Sequence, residues 1–383
     1  MMASARTRSP IVRFAPAIAG VALVIFMAIL PLLNISVPGI LPTPTYMPGT
    51  LALLSLCMVF AALALSYNML LGSAGMLSFG HALYFGAGAY GLGIALEHLG
   101  VPLWPGIFVA LIGGMIIALV TGAVAMRVSG IPFAMVTLAF AQAGSLLVRR
   151  NSAVTGGEEG LSLNTEQVPD FLIGVINTRN LYWFTLVVLV IVYLVTLWVD
   201  TSRLGHLVRA TRENEQRVRV LGLQPYQVKL VVFVIAGILA SLAGVAYMLL
   251  QSGTVPRAVS ADLTITVLVM VVLGGVGFRW GAIVGGVLYT LLDQRLTVLA
   301  GSEAIAGLPD FLRIPLSEPL FILGVLFIIV VMFLPGGIAG TIDSAMRRRR
   351  GDRARGTLQS LDDVESAGAG TGSPAETPSG VRA

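Results

Sequence analysis

Residues 200–229 read DTSRLGHLVRATRENEQRVRVLGLQPYQVK, and apolar runs flank them on both sides. It is the longest internal stretch with a dense mix of charges. Arg203, Arg209, Arg212, Arg217, Arg219 and Lys229 outnumber the acids Asp200, Glu213 and Glu215. A basic loop between two membrane spans stays on the cytoplasmic side, which orients the spans that flank it. Leu204, Leu207, Val208 and Thr211 recur at i, i+3, i+4 and i+7, so the first part of the loop is expected to be helical. Gly222 can stop that helix, and Pro225 bars its simple continuation. The stretch is therefore a short amphipathic helix, basic on one side and held between two spans. It reads either as a solvated connecting loop or as a docking helix for a cytoplasmic partner.

The rest of the chain makes the membrane setting unavoidable. The sequence is 56% hydrophobic and 11% charged, with a mean hydropathy of +0.89. Soluble domains carry about 25% charged residues. Forty-four glycines fit closely packed spans, because small residues let helices approach in lipid. The net charge of +5 does not imply nucleic acid, since the basic residues sit in loops. The single Cys57 excludes a disulfide framework and a thiolate metal site, and His81, His98 and His206 form no HxxxH pair. Arg6, Arg8 and Arg13 precede a long apolar run with no small-x-small cleavage site near Pro31, so residues 1–33 read as a retained first span.

A span needs about 20 apolar residues. Ten are expected, near 15–33, 51–71, 79–96, 106–126, 131–148, 181–199, 229–250, 263–277, 281–299 and 317–334. The third, fifth and eighth are short or broken by glycine. Residues 38–48 are a proline-rich external linker, and 149–180 form the longest external loop. The transmembrane unit covers 1–342, and 343–383 has the composition of a disordered cytoplasmic tail. With both termini inside, 18 of the 24 basic residues are inside: three before the first span, Arg127, the six of the central loop, Arg279 and seven in the tail. The acids split ten outside and nine inside, so the bias lies in Lys and Arg alone, as the rule requires. Arg149 and Arg150, at the outer end of the fifth span, are the misfit. Arg347–Arg350 is a basic anchor for anionic lipid head groups.

The second informative stretch is Leu65–Gly93, LSYNMLLGSAGMLSFGHALYFGAGAYGLG. Glycines punctuate it, with Asn68, Ser73, Ser78 and His81 between them. Broken helix and polar groups are tolerated at membrane depth only where they line a cavity or pack on protein. The stretch is therefore either a broken span bordering a pathway or a close-packing surface. Gly86-Ala-Gly88-Ala-Tyr-Gly91 matches G-x-G-x-x-G, but no strand precedes it and no acid follows about 20 residues on, so it is no dinucleotide site. No P-loop motif occurs anywhere, so the chain cannot hydrolyse ATP by that route. Leu71-Gly-Ser-Ala-Gly75 is faintly echoed by Leu273-Gly-Gly-Val-Gly277.

Four places resemble the LivM type of permease in ABC importers of branched-chain amino acids. They are Asn68–His81 with Gly88-Ala-Tyr90; Ile131–Ala139 followed by Thr155-Gly-Gly157 and Gly160; Arg209–Asn214 with Leu221-Gly222; and Met270–Gly277 leading to Gly281 and Gly285. Together they cover roughly 50–335. Arg217 and Arg219 depart from the small residues usual there, and Ser73 from an aromatic, which leaves partner choice open. The resemblance implies an all-α polytopic fold of the LivHM/ribose-permease type, in a bacterial inner membrane. It implies a second, LivH-like permease subunit, two cytoplasmic ATPases and an external substrate-binding protein, with membrane lipid around the chain and no cofactor or metal. It makes 200–229 the coupling loop, with Arg209, Ala210, Arg212, Glu213, Asn214 and Gly222 as the coupling positions. Glu213 is expected to pair with Arg209 or Arg217, leaving Arg212 for the partner, while Leu207, Val208 and Leu221 enter a groove on the ATPase. Asn68, Gly72, Gly75, Ser78, His81, Thr137, Thr155, Gly156 and Gly157 are the expected pathway positions.

Other classes fare worse. An ion-coupled carrier would want acids inside spans. Only Asp293 and Arg295 qualify, near the outer end of a span where snorkelling accounts for them. An embedded enzyme would want a nucleophile with a base, and Ser78 with His81 makes no triad. Related permeases carry urea, short amides or aromatic acids, so the substrate stays open at this stage.

Overall fold

The computed structural model describes residues 10–35, 43–300, 318–334 and 336–346. Helices stand at all ten predicted positions: α1 (Pro10–Ile29), α2 (Pro48–Asn68), α3 (His81–Glu97), α4 (Leu103–Ala125), α5 (Ile131–Arg150), α7 (Thr178–Thr201), α10 (Pro225–Gln251), α11 (Ala261–Gly274), α12 (Arg279–Ala300) and α13 (Pro319–Phe333). The short α6 (Ser152–Thr155), α8 (Arg203–Glu213) and α9 (Glu215–Val220) lie between them. Among the described residues, seven helices are long and apolar enough to cross a membrane. The chain is an all-α polytopic membrane protein. The expected count of ten exceeds seven because α3 has 17 residues, α11 has 14, and the apolar segment at α1 is Gly20–Leu32. A two-residue antiparallel ladder, β1 (Leu161–Ser162) with β2 (Gly253–Thr254), ties the long outer loop to the chain after α10.

Prolines set several helix starts. Pro48, Pro225 and Pro319 each open a helix, where a missing N–H costs nothing. Pro225 thus begins α10 four residues before the expected start, and the central loop gives up its ends to α7 and α10. Residues 343–346 of the expected tail belong to a helix over 337–346, and 347–383 lie outside the described residues, as do 38–42 of the linker and the loop 301–317 before α13.

The breaks shorten α3 and α11. α2 runs through a π-helical turn, Met69–Ser73, after which 74–80 return toward the bundle without helix until His81. Likewise α10 ends at Gln251, and 252–260 fold back through β2 and a 3-10 turn, Pro256–Val259, before α11. Val259 reaches Gly86 of α3 and Gly144 of α5, well inside the bundle. One break lies on each side of the membrane, as the alternation of the spans requires.

The two halves also pack alike. α2 lies on α12 as α10 lies on α4; α3 lies on α4 as α11 lies on α12; α3 touches α5 as α11 touches α13. The pairs are antiparallel: Tyr226 at the start of α10 donates to the Ala123 carbonyl at the end of α4, and Gly286 of α12 sits on Ala61 of α2. Helices 2–5 and 10–13 are therefore inverted repeats, a common plan among transporters. The echo between 71–75 and 273–277 does not mark this repeat, because those turns fall at non-equivalent places; it marks two turns that touch.

Glycine sets the closest crossing. A Cβ on Gly88 would lie 1.9 Å from the Ser241 carbonyl oxygen, and one on Gly244 would lie 1.9 Å from that of Phe85. In lipid, such backbone contact replaces the hydrophobic drive that joins helices in water. Gly86, Gly88 and Gly91 face Val259, Ser241 and Ala110 respectively, so the G-x-G-x-x-G run is a packing surface. α1 is peripheral; Tyr182 and Trp183 of α7 donate to the Met27 and Ala28 carbonyls at 2.7 and 3.1 Å.

Candidate functional site

The central loop is built as two helices. Ser202 caps α8 through a bond from the Gly205 amide, and Arg203–Glu213 follow. Asn214 then goes extended (φ −159°, ψ 105°), and its side chain accepts from the Arg217 amide to start α9. An Asn side chain competes for the backbone in this way and ends a helix. The single helix expected up to Gly222 is therefore broken at Asn214. Gly222 follows α9 with φ +80°, the left-handed stop anticipated for it.

The apolar face of α8 is turned inward. Val208 and Thr211 are buried, while Leu204 and Leu207 pack on the main core. Leu207 and Val208 are thus already engaged by this chain's own spans and do not offer themselves to a groove. The most exposed apolar residues of the loop are Val220 (86%) and Leu221 (76%), at and just past the end of α9, with Leu223 and Tyr226 exposed less. Glu213 is exposed and makes no ion pair with Arg209 or Arg217, correcting the expected pairing. Its neighbours are occupied elsewhere: Arg209 donates to the Asp200 and Gly205 carbonyls, and Glu215 takes Lys229 and Arg219.

Arg212, expected to be left for a partner, is bonded within the chain. Its guanidinium donates to the Gly72 carbonyl, and its stem lies on Gly75, where a Cβ would come within 2.9 Å of its Cγ. Gly75 has φ +68° and is conformationally bound to be glycine. Gly72 in turn sits against Gly277, with 2.7 Å from its missing Cβ to the Gly277 Cα. Asn68 stitches the same place, accepting from the Gly277 amide at 2.8 Å. The two echoing turns, 71–75 and 273–277, are thus in backbone contact at the C-terminal ends of α2 and α11.

Asp200 closes this junction, and sequence reading gave it no role. Its Oδ1 accepts from Ser73 Oγ at 3.0 Å, its Oδ2 pairs with Arg279 at 2.9 Å, and its carbonyl receives Arg209. Four elements meet here: the end of α2, the end of α7, α8, and the start of α12. The signal available in the sequence was a lone acid at the end of an apolar span.

The other expected pathway residues divide into two groups. Ser78, His81 and Thr137 come together at the inner break: Ser66 Oγ meets His81 Nε2 at 2.9 Å, Tyr67 donates to the Ser78 carbonyl at 3.0 Å, and Thr137 Oγ accepts from the Phe79 amide at 3.0 Å. Ser78, His81 and Thr137 are buried, as is Asn68. Ser78 and His81 do not pair; the Ser78 hydroxyl takes the Gly80 amide. Thr264 of α11 accepts from the Ala82 amide, so the two broken spans are bonded at their helical starts. Thr155, Gly156 and Gly157 lie apart in a tight outer turn, where Thr155 donates to the Val148 and Asn151 carbonyls. A cavity of about 250 Å³ beside the break at 252–260 runs between α2, α10, α11 and α12 to Phe85 and Met270, and no expected pathway residue lines it.

A family described as branched-chain amino acid transport system / permease component matches residues 49–333, which run from α2 to the end of α13. The chain is 26% identical over 274 residues to the high-affinity branched-chain amino acid transport system permease protein LivM of Escherichia coli (strain K12), covering 65% of this chain and 64% of that protein. It is 27% identical over 319 residues to the probable branched-chain amino acid transport permease protein LivM of Methanocaldococcus jannaschii, covering 73% and 90%. It is also 24% identical over 298 residues to the high-affinity branched-chain amino acid transport system permease protein LivH of Escherichia coli (strain K12), covering 73% and 91%. The matched region takes in both inverted halves and the loop between them, and the chain belongs to the branched-chain amino acid transport system permease family.

Proposed function

We propose that this chain is a transmembrane permease subunit of an ATP-driven ABC importer and forms the translocation pathway for branched-chain amino acids across a bacterial inner membrane. Its partners are a LivH-like second permease, two cytoplasmic ATPases and an external substrate-binding protein; both of its termini are cytoplasmic. One observation carries the reading: the central loop is anchored directly to the end of α2, beside its break, and to the start of α12. Arg212 grips Gly72 at the end of α2, and Asp200 holds Arg279 after α11. A partner acting on α8 and α9 therefore moves the spans that border the pathway. The coupling positions divide accordingly. Arg209 and Arg212 are bonded to main-chain carbonyls of this chain, Ala210 and Glu213 are exposed and offered to the ATPase, and Asn214 and Gly222 bound α9. The test is reconstitution of the four partners in proteoliposomes: L-leucine accumulates only with ATP inside and the binding protein outside. Accumulation of urea or benzoate in place of leucine would transfer the chain to another substrate class.

The pathway reading yields a second test. Asn68, Ser78, His81 and Thr137 form the inner seal in this conformation. Single cysteines at these sites, in a Cys57→Ala background, are expected to resist a small water-soluble thiol reagent here. They are expected to react in at least one nucleotide state of the importer. Four sites that stay unreactive in every state are packing residues.

A further inference from the structure

The cavity beside the break at 252–260 has two unlike ends. Its floor is apolar and aromatic: Phe85 and Tyr247 have ring centroids 5.3 Å apart, and Phe60 stands 6.4 and 6.3 Å from them. Its mouth carries opposite charges, Arg257 on the outer break and Asp293 on α12, with Gln251 and Gln294. Asp293 lies within electrostatic reach of Arg257, yet neither forms an ion pair or a side-chain hydrogen bond among the described residues. Asp293 is half-buried and lines the cavity instead of snorkelling to the surface. Ionisable side chains that face a cavity at membrane depth mark a substrate or ion path. Arg149, the misfit of the charge bias, lines a second cavity with Arg257, Asp262 and Thr266, beside the same mouth.

We infer that this cavity is a substrate site of the permease itself and takes a zwitterionic α-amino acid with an apolar side chain. Arg257 receives the carboxylate, Asp293 receives the ammonium, and Phe60, Phe85 and Tyr247 receive the side chain. Arg149 raises the local concentration of the carboxylate at the entrance. The inference rests on the importer reading above and deepens it. A neutral amide has no use for separated opposite charges, and an aromatic acid has none for Asp293.

The test uses Thr266→Cys in a Cys57→Ala background, in the assembled importer held in nanodiscs without the binding protein. A small methanethiosulfonate is expected to label Cys at 266, and L-leucine to protect it. L-leucinol lacks the carboxylate, 4-methylpentanoate lacks the ammonium and glycine lacks the side chain; each is expected to protect only at much higher concentration. Arg257→Gln and Asp293→Asn are each expected to raise the leucine concentration for half-protection by about ten- to a hundredfold, as loss of one charge-assisted bond requires. Absence of labelling, or equal protection by leucinol and leucine, overturns the site. An importer that accumulates leucine while leucine leaves position 266 unprotected overturns the site and leaves the proposed function standing. An importer that accumulates no leucine overturns the proposed function.

Discussion

Asp200→Ala is expected to abolish leucine uptake while the permease still inserts and still pairs with its sister subunit. The carboxylate holds Ser73 and Arg279 together, and its main chain holds Arg209. Both side-chain bonds involve an ionised group, each worth about 1.5–3 kcal/mol. Alanine also leaves the Arg279 guanidinium without its partner in a partly screened setting, where removing one member of a pair costs more than the pair contributes. The joined arrangement of α2, α7, α8 and α12 then loses population by about tenfold or more, since about 1.4 kcal/mol is a factor of ten. Asp200→Asn keeps an acceptor for Ser73 and should be milder. The telling measurement is ATP hydrolysis beside uptake: hydrolysis should persist and lose its response to the loaded binding protein. Wild-type uptake and wild-type stimulation in Asp200→Ala would remove the junction from the mechanism.

Glu213→Lys and Leu221→Asp are expected to separate the ATPase from the permease. Glu213 makes no ion pair within the described chain, and Val220 and Leu221 are the most exposed apolar residues of the loop. Burial of one such side chain contributes about 1.5–3 kcal/mol. A carboxylate at 221 both removes that gain and must be desolvated on docking. A lysine at 213 adds a like charge beside Arg209, Arg212 and Arg217, which costs docking specificity. Neither substitution touches the bonds at Gly72 or Asp200, so insertion and folding should be spared. ATPase co-purification should fall at least about tenfold for each. Normal uptake from both variants would return 200–229 to a connecting loop.

Much of this fold could be read from the sequence because lipid makes hydropathy a direct structural signal. Each predicted span has a helix; of the three expected to be short or broken, those near 79 and 263 do start after a break, while the one at 131–148 is the unbroken α5. The inward face of α8 was also legible, since Leu204, Leu207, Val208 and Thr211 follow the helical period. What this face packs against was not. Periodicity names the buried side and is silent on whether the neighbour belongs to the same chain, so Leu207 and Val208 were assigned to a partner. Asp200 and Arg212 were opaque for a related reason. Their contacts, to Ser73, Arg279 and Gly72, lie 127, 79 and 140 residues away, and no local pattern carries such pairings. Asn214 was quoted as part of a helical motif, yet its side chain can serve as a cap equally well; tertiary anchoring of α8 decided between the two.

The inverted halves have a consequence for how the path changes sides. In this conformation the outer break, 252–260, borders an open cavity, while its counterpart 74–80 is closed by Ser66, Tyr67, His81 and Thr137. The two breaks hold equivalent places in the repeat and have taken different shapes. If each half adopts the shape of the other, the outer mouth shuts and a matching one opens beside Gly75, under the grip of Arg212. No helix need be remade, and the two end states become images of one another, so the free-energy gap between them is set by where the sequences of the halves differ.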